Sequence, residues 1–407
     1  MSYVIWFIVA FSIVGAGYGY AGWRLIVPAH FPAPWNWIAW ILLSLLLLLP
    51  VAAMTVEFNR INIPWKKELE WGAYVGLGFF SIVITLLFVR DIAWLVLIAV
   101  QKLSALAPWA ARGAGEAAGP SDPQRREILV RSMNAALVTA AGGLTAYGIF
   151  EARRRPAVVE VEVPVKDLPP SLQGFRIVQI TDIHAGLTVT KPFVETVVEM
   201  ANAQMPDLVA FTGDLVDGTV EHLREHVAPM KKLQSRYGRF FITGNHEYYS
   251  GAVPWVEEAK RLGFDVLLNE HRVIRQGGGT IVLAGVTDTS AGGFIPGHRS
   301  DPHRAVAGAP KADVRILLAH QPKSLYEGSK AGFDVQISGH THGGQFIPWN
   351  FLATIGQPFI KGLHKYRDTW IYVSKGTGYW GPPVRLAARS EITVLSLVRD
   401  TGASVPL

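Results

Sequence analysis

The sequence predicts a chain of two unlike parts, an all-α helical region followed by a soluble α/β domain. Three observations predict it. The 407 residues are 50% hydrophobic and only 17% charged, too apolar for an ordinary soluble protein and too charged for one wholly embedded in lipid. Long uncharged runs fill the first 106 residues. After Pro156 the texture changes to short β-branched runs separated by turn residues and amphipathic stretches, the pattern of alternating strands and helices.

Residues 3–22 carry no charge, and about 20 apolar residues let a helix cross the hydrocarbon core of a bilayer. Residues 36–56 repeat the pattern, with Trp35, Trp37 and Trp40 where an aromatic belt would sit. From Trp71 to Val100 the chain is apolar except at Arg90 and Asp91, too long for one upright helix. The expectation is a third span at 72–89 and a separate helix at 92–106, either interfacial or a further crossing. Arg90 and Asp91 would mark the end of a span at the headgroups. Residues 107–132, rich in Ala, Gly and Pro toward their start, read as a loop, and 133–150 as a fourth span or an export-signal-like segment. Arg125 and Arg126 ahead of it resemble a twin-arginine signal, which places the soluble part outside the cytoplasm. Arg153, Arg154 and Arg155 on the far side pull the other way.

The net charge of +6 divides unevenly: residues 1–155 hold 13 Lys and Arg against 8 Asp and Glu, the remainder 25 against 24. The excess accompanies the apolar segments, so it concerns membrane orientation, and no nucleic-acid partner is expected. The absence of cysteine excludes disulfides, thiolate metal sites and cysteine nucleophiles.

In residues 156–407, strands are expected at 157–163, 176–180, 207–211, 239–242, 280–284, 314–318, 333–337, 369–373 and 392–397, and helices at 191–203, 221–233 and 253–262. Five of these strands run into side chains that ligate metals. Residues 176–184 read RIVQITDIH and present Asp182 and His184; 206–214 read PDLVAFTGD and present Asp214; 240–247 read FFITGNHE and present Asn245 and His246. VRILLAH delivers His320, and DVQISGHTHGG delivers His340 and His342. Ligands of open α/β sheets bind beyond the carboxyl ends of the strands, so the five ends can converge on one crevice. Two carboxylates, an amide and five imidazoles suit Mn, Fe, Zn or Ni better than Ca. Two divalent ions about 3.5–4 Å apart, sharing a carboxylate, would use nearly all of them. Any one such residue alone would more simply be a turn or cap; the fivefold repetition makes a site. Asp217 reads as a loop residue, and the other histidines lack this context.

These segments, Asp182-x-His184, Gly213-Asp214, Gly244-Asn245-His246-Glu247, His320 and Gly339-His340-x-His342, together resemble the signature of the calcineurin-like metallophosphoesterases, over roughly residues 160–400. The wording QITDIHAG, GHTHGGQ and PPVRLAARSEI is most similar to the bacterial membrane-associated branch with an N-terminal multi-span region. The resemblance implies an α/β/β/α sandwich of two mixed sheets flanked by helices. It implies that Asp182, His184 and His342 hold one metal, that Asn245, His320 and His340 hold a second, and that Asp214 bridges them. His246 would stand beside the phosphoryl group as catalytic acid or transition-state contact. The expected reaction is hydrolysis of a phosphodiester, pyrophosphate or phosphomonoester by in-line attack of a metal-bridging hydroxide. The expected setting is a multi-pass protein of a bacterial inner or plasma membrane, with the lipid bilayer as partner. The rival reading is a membrane sensor or transport component using the domain as a binding module. The aromatic stretch at Phe346, Trp349, Phe351, Phe359 and Ile360, followed by Lys361, Lys365 and Arg367, reads either as core or as an apolar lip with a basic rim that admits a lipid-linked substrate.

Overall fold

The computed structural model describes residues 3–58, 61, 63–105 and 123–401. The chain forms two compact units, residues 1–147 and 148–407. The first contains α1 (Tyr3–Leu25), α2 (Trp35–Phe58), α3 (Lys66–Ala105) and most of α4 (Pro123–Arg153). Among the described residues, α2, α3 and α4 are long and apolar enough to cross a membrane. Tyr18 stacks on Phe80 with ring centroids 3.5 Å apart, joining α1 to α3. Gly76 lets Leu46 of α2 lie against the α3 backbone.

Two expectations are corrected here. The span at 72–89 and the helix at 92–106 are one continuous helix, α3. Its interior has no proline and its glycines lie in its first half, so nothing breaks it. Arg90 and Asp91 stay within it because side chains of neighbouring helices engage them. The predicted loop at 107–132 gives way to helix from Pro123 onward, the proline standing at the first helical position, where its missing N–H costs nothing. Residues 107–122 lie outside the described residues.

The second unit begins with the last turn and a half of α4 and continues through twelve strands: β1 (Ala157–Val165), β2 (Arg176–Ile180), β3 (Leu208–Phe211), β4 (Arg239–Phe241), β5 (Asp265–Val266), β6 (Glu270–Gln276), β7 (Gly279–Gly285), β8 (Val314–Leu318), β9 (Val335–Ser338), β10 (Gly362–Tyr366), β11 (Thr369–Val373) and β12 (Glu391–Arg399). The helices are α5 (Lys191–Asn202), α6 (Val220–Val227), α7 (Asn245–Ser250), α8 (Ala252–Arg261), α9 (Ala291–Phe294), α10 (Pro302–Val306), α11 (Leu325–Lys330) and α12 (Trp349–Gly356). One sheet has the order β1-β12-β2-β3-β4-β5 and the other β10-β11-β9-β8-β7-β6. Both are mixed: β2 to β5 are parallel while β12 runs against β2, and β7, β8, β9 and β11 are parallel between antiparallel edges.

Alternation along the strands explains the layering. Ile177, Leu208, Ala210 and Phe240 of the first sheet meet Leu283, Ile316, Leu318 and Ile337 of the second in a core between the sheets. The intervening residues Val178, Ile180, Val209 and Phe211 face α5 and α8 through Val194, Val197 and Trp255. Strands apolar on both faces are what such double cover requires. On the outer side of the second sheet, Ala284, Leu317 and Ala319 pack with Ala305 and Phe333. The result is an α/β/β/α sandwich.

Candidate metal centre

The parallel strands β2, β3 and β4 of one sheet and β8 and β9 of the other end in loops that meet. Asp182 and His184 follow β2, Asp214 follows β3, Asn245 and His246 open α7 after β4, His320 follows β8, and His340 and His342 follow β9. All seven predicted ligands come together, in two groups. Asp182, His184 and His342 form one, their ligand atoms within 4.8 Å of one another, and Asp214, His320 and His340 form the other. Asn245 joins the second through its Oδ1, 3.2 Å from His320 Nε2. Asp214 stands between them, its Oδ2 3.0 Å from His320 Nε2 and 3.7 Å from His184 Nε2.

The backbone at these positions is unusual. Asp182, His184, Asp214, His340 and His342 all have φ between +51° and +73°, a left-handed region that costs an L residue about 1–2 kcal/mol. Strain of this kind persists only where the surroundings over-determine it, and the hydrogen bonds supply that determination. The Asp182 N–H donates to Gly213 O and the His184 N–H to Asp214 O, zipping two ligand loops together. The His340 N–H donates to Asp182 Oδ1 at 2.9 Å, and the His246 N–H to Asp214 Oδ1 at 2.9 Å. Gly213 has φ +95°, and a Cβ there would lie 2.6 Å from Gly244 N and 2.8 Å from His320 Nδ1. Only glycine allows the two loops this close.

The protonation logic fits a cation. His320 Nδ1 donates to Thr212 O at 2.8 Å, which turns Nε2 toward Asp214 and Asn245. His184 Nε2 and His342 Nε2 approach to 3.0 Å, and His340 Nδ1 and His320 Nε2 to 3.2 Å. Imidazole nitrogens and carboxylate oxygens this close, in a buried place, need shared protons or a cation among them. Burial disfavours the imidazolium of His320, yet the Asp214 carboxylate outweighs it and holds the ring well above its ordinary pKa. Burial would likewise raise Asp214, and His320 instead holds it well below the usual carboxylate range. Burial dominates at Asp182 and pushes it up, and burial with His184 pushes His342 down. Nitrogen and oxygen donors without thiolate suit a divalent first-row metal.

Residues that sequence reasoning passed over hold this set in place. Asp217 is not a bystander in its loop: its Oδ1 accepts from His184 Nδ1 at 2.9 Å and from His246 Nδ1 at 2.6 Å, a carboxylate fixing ring orientation from behind. Its position three residues past Asp214 was the available signal. Glu247 is fully buried and accepts the N–H groups of Gly244, Asp214 and Leu215 at 2.6, 3.0 and 2.7 Å. Arg385 is fully buried among carbonyls, donating to Ala388 O at 2.6 Å and Lys375 O at 2.8 Å, with Nη2 3.1 Å from His342 Nδ1. His246 stands edge-on to His184 with centroids 4.6 Å apart. The exposed rings of Tyr249 and Trp380 flank it at 5.1 and 5.7 Å. Burial disfavours the His246 imidazolium, but Asp214 and Asp217 raise its pKa to about 9.

The aromatic stretch divides. Phe346 is buried, and Phe359 packs on the small cluster of Leu325, Ile371 and Val373. In contrast α12 buries no residue at all, and Phe351 and Ile355 are 67% and 82% exposed.

A four-layer sandwich that gathers histidine and aspartate at the strand ends of both sheets defines a metal-dependent hydrolase. Residues 175–344 match the family model described as calcineurin-like phosphoesterase. The chain is 40% identical over 271 residues to a zebrafish (Danio rerio) protein named "Transmembrane protein with metallophosphoesterase domain", covering 65% of this chain and 62% of that one. It is 38% identical to the Bos taurus protein of the same name, covering 80% of this chain and 73% of that one. It is 36% identical to an "Uncharacterized metallophosphoesterase" of Helicobacter pylori, covering 69% and 74%. The chain thus spans less than two thirds of the zebrafish relative's length. It belongs to the calcineurin-like metallophosphoesterases and is a metal-dependent phosphoesterase.

Proposed function

We propose that this protein is a multi-pass, membrane-anchored phosphoesterase that acts on a lipid-linked phosphodiester or pyrophosphate through a dinuclear centre. The grouping of seven donors around a shared Asp214 carries the reading. Asp182, His184 and His342 would hold one divalent ion and Asn245, His320 and His340 the other, with Asp214 common to both. When bound, two such cations acidify water and neutralise phosphoryl oxygens, so that hydroxide is available at neutral pH. Asp217 fixes His184 with its Nε2 toward the centre and keeps Nδ1 of His246 occupied. The other nitrogen of His246 is then free to place a proton on the departing oxygen. The Asp217 carboxylate on Nδ1 favours the protonated ring, so that His246 has a proton to give. Glu247 clamps the loops of Asp214 and Asn245 so that these groups need not reorganise during reaction.

The membrane part of the proposal rests on three helices of spanning length and on α12. Trp349, Phe351, Leu352 and Ile355 are exposed on this helix, seven residues past His342 at its start. An exposed apolar helix beside a metal centre is accounted for by contact with a bilayer surface or with the tail of a substrate held there. A tether keeps such an enzyme near a substrate confined to the same surface.

The test is metal analysis and turnover of the full-length protein in detergent. Chelation should abolish hydrolysis, and Mn, Fe, Zn or Ni added singly should restore it at about two ions per chain. A panel of chromogenic phosphomonoesters, phosphodiesters, pyrophosphates and their lipid-linked counterparts should rank the lipid-linked ones first. Retention of only one ion would overturn the dinuclear reading, and no preference for lipid would remove the role of α12.

A further inference from the structure

The membrane unit contains a polar cluster that the phosphoesterase chemistry does not use. Tyr20 and Arg24 lie near the end of α1, Arg90 and Asp91 lie in α3, and Asn134 lies in α4. Asp91 is fully engaged: Oδ1 accepts from Arg24 Nη2 at 2.6 Å and from Arg90 Nε at 2.9 Å, and Oδ2 accepts the Tyr20 hydroxyl. Asn134 uses both ends of its amide, accepting from Arg90 Nη1 at 2.6 Å and donating to the Arg24 carbonyl at 3.0 Å. Two donors remain. Arg24 Nε and Arg90 Nη2 are closed off from solvent and have no hydrogen-bond partner among the described residues. The ring of Trp23 covers a face of the Arg24 guanidinium at 5.2 Å, which does nothing for an in-plane N–H.

Two guanidinium groups against one carboxylate leave the cluster with one positive charge in excess. In an apolar setting such a charge, with two unanswered donors, is costly unless an anion completes it. The depth of the cluster says which anion is at hand. Arg24 is the penultimate residue of α1, and the exposed rings of Trp23 and Trp94 flank the same level, where aromatic belts meet the headgroups. A phosphodiester headgroup brings one negative charge, which matches the one excess cation, and the partly exposed side chain of Arg24 is where it would make contact. Arginine is the side chain suited to such a group.

We propose that Arg24 and Arg90, set by Asp91, Asn134 and Tyr20, form a binding site for one anionic phosphodiester headgroup at the membrane face of this unit. Zwitterionic lipid, which carries its own cation, fits the excess charge less well.

The experiment compares the full-length protein in nanodiscs of phosphatidylcholine alone and of phosphatidylcholine and phosphatidylglycerol in equal parts. Phosphatidylglycerol should raise the unfolding midpoint by about 5 °C. Arg90→Gln and Arg24→Gln should each lose most of that rise, while Lys102→Gln, which removes a charge elsewhere on α3, should keep it. An equal midpoint in the two nanodiscs overturns the site, as does a rise that survives both arginine substitutions. Native mass spectrometry of the unaltered protein covers the case in which the variants fail to assemble. One phosphatidylglycerol per chain should survive detergent exchange, and none retained overturns the proposal. Inorganic phosphate added to phosphatidylcholine nanodiscs should do nothing; a rise equal to that from phosphatidylglycerol would overturn the headgroup as occupant.

Discussion

The two polar clusters of this molecule fail to balance in opposite directions. At the strand ends of the α/β unit, imidazole nitrogens and carboxylate oxygens crowd together, with His184 Nε2 3.0 Å from His342 Nε2 and His320 Nε2 3.0 Å from Asp214 Oδ2. Among the membrane helices, the surplus is of donors, the two free N–H groups of Arg24 and Arg90. Imidazoles and carboxylates crowded together call for protons or a cation, and donors that face nothing call for an anion. The kind of imbalance, more than the burial of charge, states what a site is built to receive. The catalytic cluster also carries left-handed backbone at five of its residues. Tyr20, Arg24, Arg90, Asp91 and Asn134 lie in unbroken helix. Strained loops can aim several side chains at one point, whereas helices offer one face each and hold a ligand from the sides.

Removing the acceptor shared by both halves of the strand-end cluster should have the largest effect. Asp214→Ala should lose metal and bring hydrolysis to background, because both groups of donors lose a member at once. His246→Ala should retain its metal, since its ring is not among the predicted ligands and the backbone N–H that holds Asp214 is kept, yet turnover should fall by about 10²–10⁴-fold. Metal analysis beside initial rates separates the two outcomes; a His246→Ala protein with the parent rate would show that the ring takes no part in proton transfer.

Asp217→Asn should have a smaller effect, about 10- to 100-fold on activity or metal affinity. It also carries a sign in pH. Burial lowers His246, while Asp214 and Asp217 raise it to about 9. The protonated ring that serves as acid is therefore lost as pH rises through the folded value. Deleting the Asp217 charge removes part of the attraction for the imidazolium, so the alkaline limb of the rate profile should move to lower pH. In the metal-free protein, the stability that His246 contributes is fully present below its unfolded pKa of about 6.5 and fades as pH approaches 9. In Asp217→Asn that fading should begin earlier. A limb that stays in place would mean that Asp217 orients the ring without tuning it.

Much of this was legible in the sequence, for a local reason. Each predicted ligand stands directly behind an apolar strand, and glycine precedes Asp214, Asn245 and His340, so a few consecutive residues state both the strand and what it presents. Strands with a polar face were missed: β6 reads EHRVIRQ and β10 reads GLHKY, both at sheet edges where one side meets solvent. The roles of Asp217 and Arg385 depend on contacts with His184, His246 and His342 at distances of 29 to 43 residues, which no local pattern encodes. The continuity of α3 was hidden because Arg90 and Asp91 look like an ending until Arg24 and Asn134 are placed beside them.

The stretch after His342 was the one place where composition allowed two answers, and α12 offers the smallest and most specific test of the set. Phe351 and Ile355 lie four residues apart on α12, both exposed, so they share a face of the helix. If that face meets lipid, the double substitution Phe351→Asp and Ile355→Asp should raise KM for a lipid-linked phosphodiester about fivefold, equivalent to about 1 kcal/mol of apolar contact. The rate on a short water-soluble chromogenic ester should not change, because no residue of α12 is buried and none is among the predicted ligands. Equal losses on both substrates would instead mean that α12 supports the His342 turn, against which Asn350 packs at Gly344. The split between the two substrates, read as KM against kcat, therefore decides whether the apolar helix serves the bilayer or only the fold of the loop beside it.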